Sequence, residues 1–205
     1  DLMKLLIKNG RVVHPVTSAV ILQDILIEDG KIVLIERGLE AEADQVIDAS
    51  GLAVSPGLVD MHVHLRDPGL TYKEDIITGS NAAARGGITA MACMANTSPT
   101  VDCPEQVQYV LDRANQGSGV QIFPIAALSK GLRGEEPTDA DALKKAGAIA
   151  LSDDGNNVDN ANLMRDVLIQ AGQLDIPVLC HCEDTSMVEG RAVNEGSVSR
   201  QLWLE

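Results

Sequence analysis

Asp60-Met61-His62-Val63-His64-Leu65-Arg66-Asp67-Pro68-Gly69 ends an apolar run with a His-x-His pair and carries an arginine two residues beyond it. Side chains at i and i+2 of a strand point to the same face, so His62 and His64 can converge on one metal ion. Arg66 stands where it can hold an anion. A surface pair of histidines is the competing reading, because two imidazoles do not by themselves make a metal site. The flanks favour the first reading. Ser55-Pro56-Gly57 stops the preceding segment, Leu58-Val59-Asp60-Met61 is a short strand of buried type, and Asp67-Pro68-Gly69 is a turn.

From Pro56 onward, strand-like and helix-like segments alternate. Strands are predicted at 58–62, 89–92, 121–126, 148–151 and 177–181, and helices at 73–85, 104–115, 139–146 and 160–173. Pro104 and Asp139 mark helix starts, and Gly86-Gly87, Gly117 and Gly147 mark helix ends. This alternation predicts parallel βαβ units. Periodicity does not separate an open doubly wound sheet from a (β/α)8 barrel, but the polar residues lean toward the barrel. His62, His64 and Arg66, then Asn96, then Asp153 and Asp154, then His181 fall at or just past the C-terminal ends of successive strands. A barrel gathers those ends into one mouth.

Before Pro56 the character differs. Short β-type runs at 4–8, 10–13, 24–28, 31–35 and 45–48, punctuated by Asn9-Gly10 and Asp29-Gly30, predict a small antiparallel sheet with hairpin turns at both dipeptides. The expected fold class is therefore α/β in two parts, a small β portion over residues 1–54 and barrel strands and helices over 55–205. His14, beside Pro15, is expected to be a loop residue remote from the strand ends.

Composition sets bounds on partners. Of 205 residues, 45% are hydrophobic and only 2% aromatic, so the core must be built from Ala, Val, Ile and Leu, which suits a parallel sheet covered by helices. A net charge of −14 repels polyphosphate and argues against nucleic acid and anionic membrane. An anionic substrate would need local compensation from metal ions and Arg66. No segment approaches the roughly 20 apolar residues of a membrane span, and the N-terminus lacks a signal-peptide pattern, so a cytoplasmic protein is expected.

Cys93, Cys103, Cys180 and Cys182 lack the spacing of a disulfide framework. Cys180-His181-Cys182 invites a zinc reading, yet on a strand both cysteines face away from His181, and free cysteine commonly serves as a small hydrophobe. His181 closes the fifth strand. Alone it reads as a core histidine; beside His62, His64 and an acid it reads as a ligand. Ala150-Leu151-Ser152-Asp153-Asp154-Gly155 offers two such acids at the end of the fourth strand, although Asp-Asp-Gly also reads as a turn.

The run from Pro56 to Gly69 resembles the first-strand signature of the amidohydrolase superfamily, and His-Leu-Arg-Asp-Pro-Gly is similar to that of bacterial dihydroorotases of the type related to the animal multifunctional protein. The resemblance extends over the whole chain, which reads as the N-terminal half of such a protein. It implies a (β/α)8 barrel, here truncated after its fifth strand, and an N-terminal portion of a small β-sandwich that the C-terminus of such enzymes completes. It also implies two zinc ions about 3.5–4 Å apart, with His62, His64 and His181 as ligands. Many relatives bridge the ions with a carboxylated lysine at the end of the fourth strand, whereas Lys144 and Lys145 lie back on the preceding helix. The dihydroorotase pattern places the bridge on Asp154 rather than Asp153, and Asp153 is expected to hydrogen-bond nearby.

Met94-Ala95-Asn96-Thr97 is similar to the family's Met-Pro-Asn-Thr, with Ala95 in place of proline. The resemblance implies that Arg66 and Asn96, with His64 beside them, hold the carboxylate of dihydroorotate; the competing reading pairs Arg66 with Asp67 or Glu74. The implied reaction is reversible hydrolysis of (S)-dihydroorotate to N-carbamoyl-L-aspartate in pyrimidine synthesis. Its general acid/base, an aspartate, and a further metal histidine are expected beyond residue 205, so the isolated chain is expected to be inactive. Two alternatives remain. A cyclic amidase of the dihydropyrimidinase or allantoinase kind would not need the Arg66 fork. A non-catalytic scaffold for aspartate carbamoyltransferase is expected to lose metal ligands, and here every ligand position covered is filled. A homodimer, or partnership with that transferase, is open to an active enzyme too.

Overall fold

The computed structural model describes residues 3–184 and 193–202, which fall into two compact units divided between Gly57 and Leu58. In the first unit, β1 (Lys4–His14) pairs antiparallel with β2 (Ala19–Glu28), and β2 with β3 (Lys31–Glu36). β4 (Gln45–Asp48) and β5 (Ala53–Val54) both run parallel to β1. The sheet is thus mixed, not antiparallel as expected.

Asp29 (φ 51°) and Gly30 (φ 74°) join β2 to β3, as the sequence predicts for a two-residue turn with positive φ at both positions. Asn9-Gly10 does something else. Asn9 (φ 61°) sits at a bulge inside a continuous β1, where the register slips between Ile7 and Gly10. The cause is local: its N–H donates to Asp24 Oδ1 at 2.7 Å and its side-chain amide to Asp48 Oδ1 at 3.1 Å. These partners satisfy the bulged residue without a chain reversal. Gly10 packs so closely that a Cβ would lie 2.6 Å from Val54 Cγ2. His14 proves to be the last residue of β1 rather than a loop residue, with Nε2 2.8 Å from Gln23 Oε1.

The second unit is built on β6 (Leu58–Val63), β7 (Ile88–Cys93), β8 (Gln121–Ala126) and β9 (Ala150–Leu151), all parallel and in sequential order. No switch point of the doubly wound kind occurs among these four strands. The connections carry α1 (Ile76–Arg85), α2 (Pro104–Asn115) and α3 (Ala140–Ala146), and α4 (Ala161–Gln173) follows β9. A short α5 (Ser197–Gln201) comes last among the described residues.

Local chemistry fixes the boundaries. Asp75 caps α1, accepting from the N–H groups of Ile77 and Thr78, while the Thr78 hydroxyl stands 3.2 Å from the Asp75 N–H. The helix therefore starts at Ile76, and the expected start at residue 73 falls in a preceding turn. Asp139 and Asn160 cap α3 and α4 in the same way. Gly147 (φ 113°) ends α3 in the left-handed conformation, and the Ala148 N–H returns to Leu143 O at 3.0 Å. That bond removes residue 148 from the sheet, so β9 is shorter than predicted.

The expected fifth strand is also reduced, to a single bridge between Val178 and Leu151. Leu151 N–H donates to Pro177 O and Leu179 N–H to Leu151 O, both at 2.9 Å. Pro177 has no N–H to extend the ladder, and β9 offers only two residues to pair with.

Both faces of the sheet are packed where β7 and β8 lie. Met91 and Cys93 join the helix-facing core with Val107 and Val110 of α2, Leu143 of α3 and Val167 of α4. Ala92, Met94, Ile125 and Ala150 form a second buried cluster. Each fully buried aliphatic side chain contributes about 1.5–3 kcal/mol. The alternation along β7 matches the two-residue period of a strand buried on both faces. No helix of the described residues is long and apolar enough to cross a membrane.

Candidate metal centre

β6 delivers His62, and His64 follows one residue past its end, where Met94 N–H donates to Val63 O at 2.9 Å and holds the strand end against β7. The two rings meet edge to face with centroids 5.2 Å apart. From the end of β9, Ser152 N–H donates to Ala126 O at 2.8 Å, and the Ser152 hydroxyl accepts from Asp154 N–H at 3.1 Å. These bonds fix the Asp153–Asn156 turn, which Asn156 N–H closes onto Asp153 O at 2.8 Å. Turn and acid site are one structure here.

The two aspartates face different partners. Asp154, with a side chain 13% exposed, sets Oδ1 3.3 Å from His62 Nε2 and Oδ2 3.5 Å from His64 Nε2. Two ligands held by one zinc at about 2.1 Å in tetrahedral geometry lie roughly 3.4 Å apart. His62, His64 and Asp154 thus offer three donor atoms within 4.8 Å of one another, two imidazoles and a carboxylate, a set that fits zinc or a similar transition metal. His181 stands at the rim, with Nδ1 3.9 Å from Asp154 Oδ1 and Nε2 2.7 Å from Glu183 Oε2.

Asp153 is buried and engaged elsewhere. Its Oδ1 accepts from the N–H groups of Leu128 and Ser129 at 3.0 Å each, and its Oδ2 from the Ser129 hydroxyl. Burial pushes its pKa above the usual carboxylate value despite these donors.

Asn96, in the loop after β7, spans two members of the cluster. Its amide nitrogen donates to Asp154 Oδ2 at 3.2 Å, which turns its oxygen toward His64 Nδ1 at 2.9 Å. Among the described residues the second amide hydrogen has no acceptor. Arg66 sits in the left-handed region (φ 57°), half-buried, and neither acid named as its alternative partner takes it. Glu74 is bonded to the Thr78 hydroxyl and the Asp75 N–H.

Asp67 turns inward with a side chain 1% exposed, accepting from the Tyr109 hydroxyl at 2.8 Å and facing Arg113 Nε at 3.5 Å. The turn is pinned on its other side too, where a Cβ on Gly69 would come within 1.6 Å of Ser98 O. Sequence reasoning read Asp67-Pro68-Gly69 only as a turn, since partners more than forty residues away leave no local signal. Glu183 was missed as well, although its place two residues after His181 puts it on the same face of an extended segment. Cys180 and Cys182 are exposed free thiols, whereas burial pushes the Cys93 thiol up to about 12.

A family model described as Dihydro-orotase-like matches residues 51–203. The chain is 48% identical to the dihydroorotase of Ruminiclostridium cellulolyticum over 203 residues, covering 99% of this chain and 47% of that protein. It is 48% identical to the dihydroorotase of Citrifermentans bemidjiense over 204 residues, covering 99% and 48%. Among solved structures it is similar to a D-hydantoinase, with TM-score 0.75 at 28% identity over 91% of this chain and 42% of that one. It shares its fold with a crystal structure of a dihydroorotase at TM-score 0.60 and 19% identity, over 88% and 51% of the two chains. The chain spans about half the length of the curated relatives it matches. On the strength of the match over residues 51–203 and of these identities, the chain belongs to the Dihydro-orotase-like family of amidohydrolases.

Proposed function

We propose that the protein carrying this chain is a zinc-dependent dihydroorotase, which reversibly hydrolyses (S)-dihydroorotate to N-carbamoyl-L-aspartate. The observation that carries this reading is the convergence of His62, His64 and Asp154 in a chain of this family. In this assignment His62, His64, His181 and Asp154 would hold the metal, with Asp154 as the ligand shared between two ions. When bound, the ions supply a water whose pKa is lowered toward about 7 and a Lewis acid for the ring carbonyl. Arg66 offers a planar fork to the ring carboxylate, and the second amide hydrogen of Asn96 adds one more donor. For a chain of net charge −14 to receive an anion, metal charge and Arg66 would compensate locally.

The four sequential parallel strands belong, in the same reading, to residues 55–205 as the first part of a (β/α)8 barrel, with residues 1–54 as part of a small β-sandwich. Support comes from β6, whose Leu58, Val59 and Met61 are 61%, 65% and 73% exposed, as expected of a strand whose covering elements lie elsewhere in a longer protein. The test is turnover of dihydroorotate by the zinc-loaded protein, with dihydrouracil, which lacks the carboxylate, as control. Hydrolysis of dihydroorotate alone supports the reading; hydrolysis of dihydrouracil alone would overturn it in favour of a dihydropyrimidinase-like amidase.

A further inference from the structure

His64 and His181 approach Asp154 through different ring nitrogens. His64 turns Nε2 to the carboxylate and Nδ1 to Asn96 Oδ1, while His181 turns Nδ1 to the carboxylate and Nε2 to Glu183 Oε2. Asp154 and the partner on the far side of each ring are both acceptors, but the far-side contact is the closer one, 2.9 Å against 3.5 Å for His64 and 2.7 Å against 3.9 Å for His181, so it takes the hydrogen. Asn96 donates its amide to Asp154, so its oxygen is the group that accepts from His64 Nδ1–H. A carboxylate can only accept, so Glu183 takes the Nε2–H of His181. In each neutral ring the nitrogen left with a lone pair is the one aimed at Asp154.

We infer that Glu183 is a positioning residue of the metal centre, fixing His181 in the Nε2–H tautomer so that Nδ1 is its ligand atom. The inference rests on the metal reading of the cluster and extends it to a residue outside the donor set. The physical reason is that a carboxylate behind a histidine orients the ring and raises the basicity of the opposite nitrogen. At 2.7 Å the Glu183 contact is the shorter of the two polar contacts that the His181 ring makes among the described residues, whereas the 3.9 Å approach to Asp154 is too long to hold the ring by itself.

Two measurements on the full chain test it. Long-range proton–nitrogen NMR at about pH 8, where an ordinary imidazole is neutral, reads the tautomers of the four histidines. The expected result is Nε2–H for His181 and Nδ1–H for His64, with His181 reverting to a mixture in Glu183→Ala. Zinc affinity, measured by competition with a chromophoric chelator, is expected to fall about 10–100-fold in Glu183→Ala and to be largely restored in Glu183→Gln, whose amide oxygen still accepts from Nε2–H. Circular dichroism of both variants checks that the fold is kept.

An Nδ1–H tautomer at His181 in the unaltered chain would overturn the inference, as would a Glu183→Ala chain that holds zinc as tightly as the original. A Glu183→Gln chain as weak as Glu183→Ala would overturn it too, since that pattern marks a direct ligand. Failure of the unaltered chain to take up zinc, with the tautomers as stated, refutes the metal reading while leaving the Glu183–His181 pairing in place.

Discussion

Deleting one oxygen, by Tyr109→Phe, asks whether the turn bearing Arg66 is anchored through Asp67. The Asp67 carboxylate is 1% exposed and has three donors around it: the Tyr109 hydroxyl at 2.8 Å, Arg113 Nε at 3.5 Å and Ile76 N at 3.5 Å. A hydrogen bond to a charged acceptor contributes about 1.5–3 kcal/mol. Tyr109 is 41% exposed, so water can reach its hydroxyl, and the contribution falls to the bottom of that range and toward that of an ordinary hydrogen bond, about 1–2 kcal/mol. The two 3.5 Å contacts are longer than good N–H···O bonds, and a partly exposed ion pair adds about 1 kcal/mol at most. Tyr109 is therefore the main partner.

In urea unfolding, Tyr109→Phe is expected to lower the stability of the unit spanning residues 58–205 by about 1–2 kcal/mol with the slope unchanged. Asp67→Ala strands all three donors and is expected to lower it by about 2–4 kcal/mol. The double-mutant cycle should return a coupling of about 1–2 kcal/mol. The hydrogen bond to Asp67 raises the Tyr109 pKa, with burial and the Asp67 charge adding to it. A phenol whose folded pKa is raised contributes stability below its unfolded value, about 10, and loses it as pH rises through the folded value. The gap between the original chain and Tyr109→Phe must then close above about pH 10. A coupling near zero, or a gap that stays constant through that range, would refute the anchor.

Three further outcomes are expected. Arg66→Gln keeps zinc content unchanged and lowers kcat/KM for dihydroorotate roughly 30-fold, about 2 kcal/mol of charge-assisted hydrogen bonding; an unchanged kcat/KM would remove Arg66 from the substrate site. Gly69→Ala is expected to destabilise by more than about 2 kcal/mol in thermal unfolding, because φ is +81° and the new Cβ meets Ser98 O at 1.6 Å; a neutral effect would show that the turn is not held there. Asp75→Ala is expected to lose about 1 kcal/mol of capping. The Thr78 N–H holds the Asp75 pKa below the usual value, with burial opposing and the Ile77 N–H adding, so this contribution is present above about pH 3.9 and disappears as pH falls through the folded pKa. Equal stability of the two chains at neutral pH would contradict the cap.

What could be read directly from the chain was what local chemistry dictates. Pro104, Asp139 and Gly147 each announce a helix boundary through local chemistry of their own, and α2 and α3 lie where those residues put them. Asn9-Gly10 misled because the same dipeptide serves a turn or a bulge, and the deciding partner, Asp24, is fifteen residues away. The shortened β9 and the one-bridge fifth strand likewise follow from a helix cap at Ala148 and the missing N–H of Pro177, both tertiary competitions for backbone groups. In the candidate site, the spacing His62-x-His64 and the acids after β9 drew attention by residue type alone. The distinction between Asp153 and Asp154 needed the resemblance, since adjacent carboxylates look alike until the Leu128 and Ser129 amides are seen to claim one of them. Asp67 and Glu183 stayed hidden because their importance lies in what they hold, not in what they resemble.

The two lysines of α3 carry a consequence for how such a centre comes into being. Lys144 reaches across to the carbonyls of Leu174 and Asp175, and Lys145 pairs with Asp141 at 2.5 Å one helical turn away. A lysine-derived bridge would have to be made after synthesis by capturing dissolved carbon dioxide, and it could be lost again. In the proposed assignment, where Asp154 would be the bridge, the acid is encoded and present once the chain has folded. Zinc loading is therefore expected to follow metal supply alone and to be the same in bicarbonate-free buffer as in buffer saturated with it.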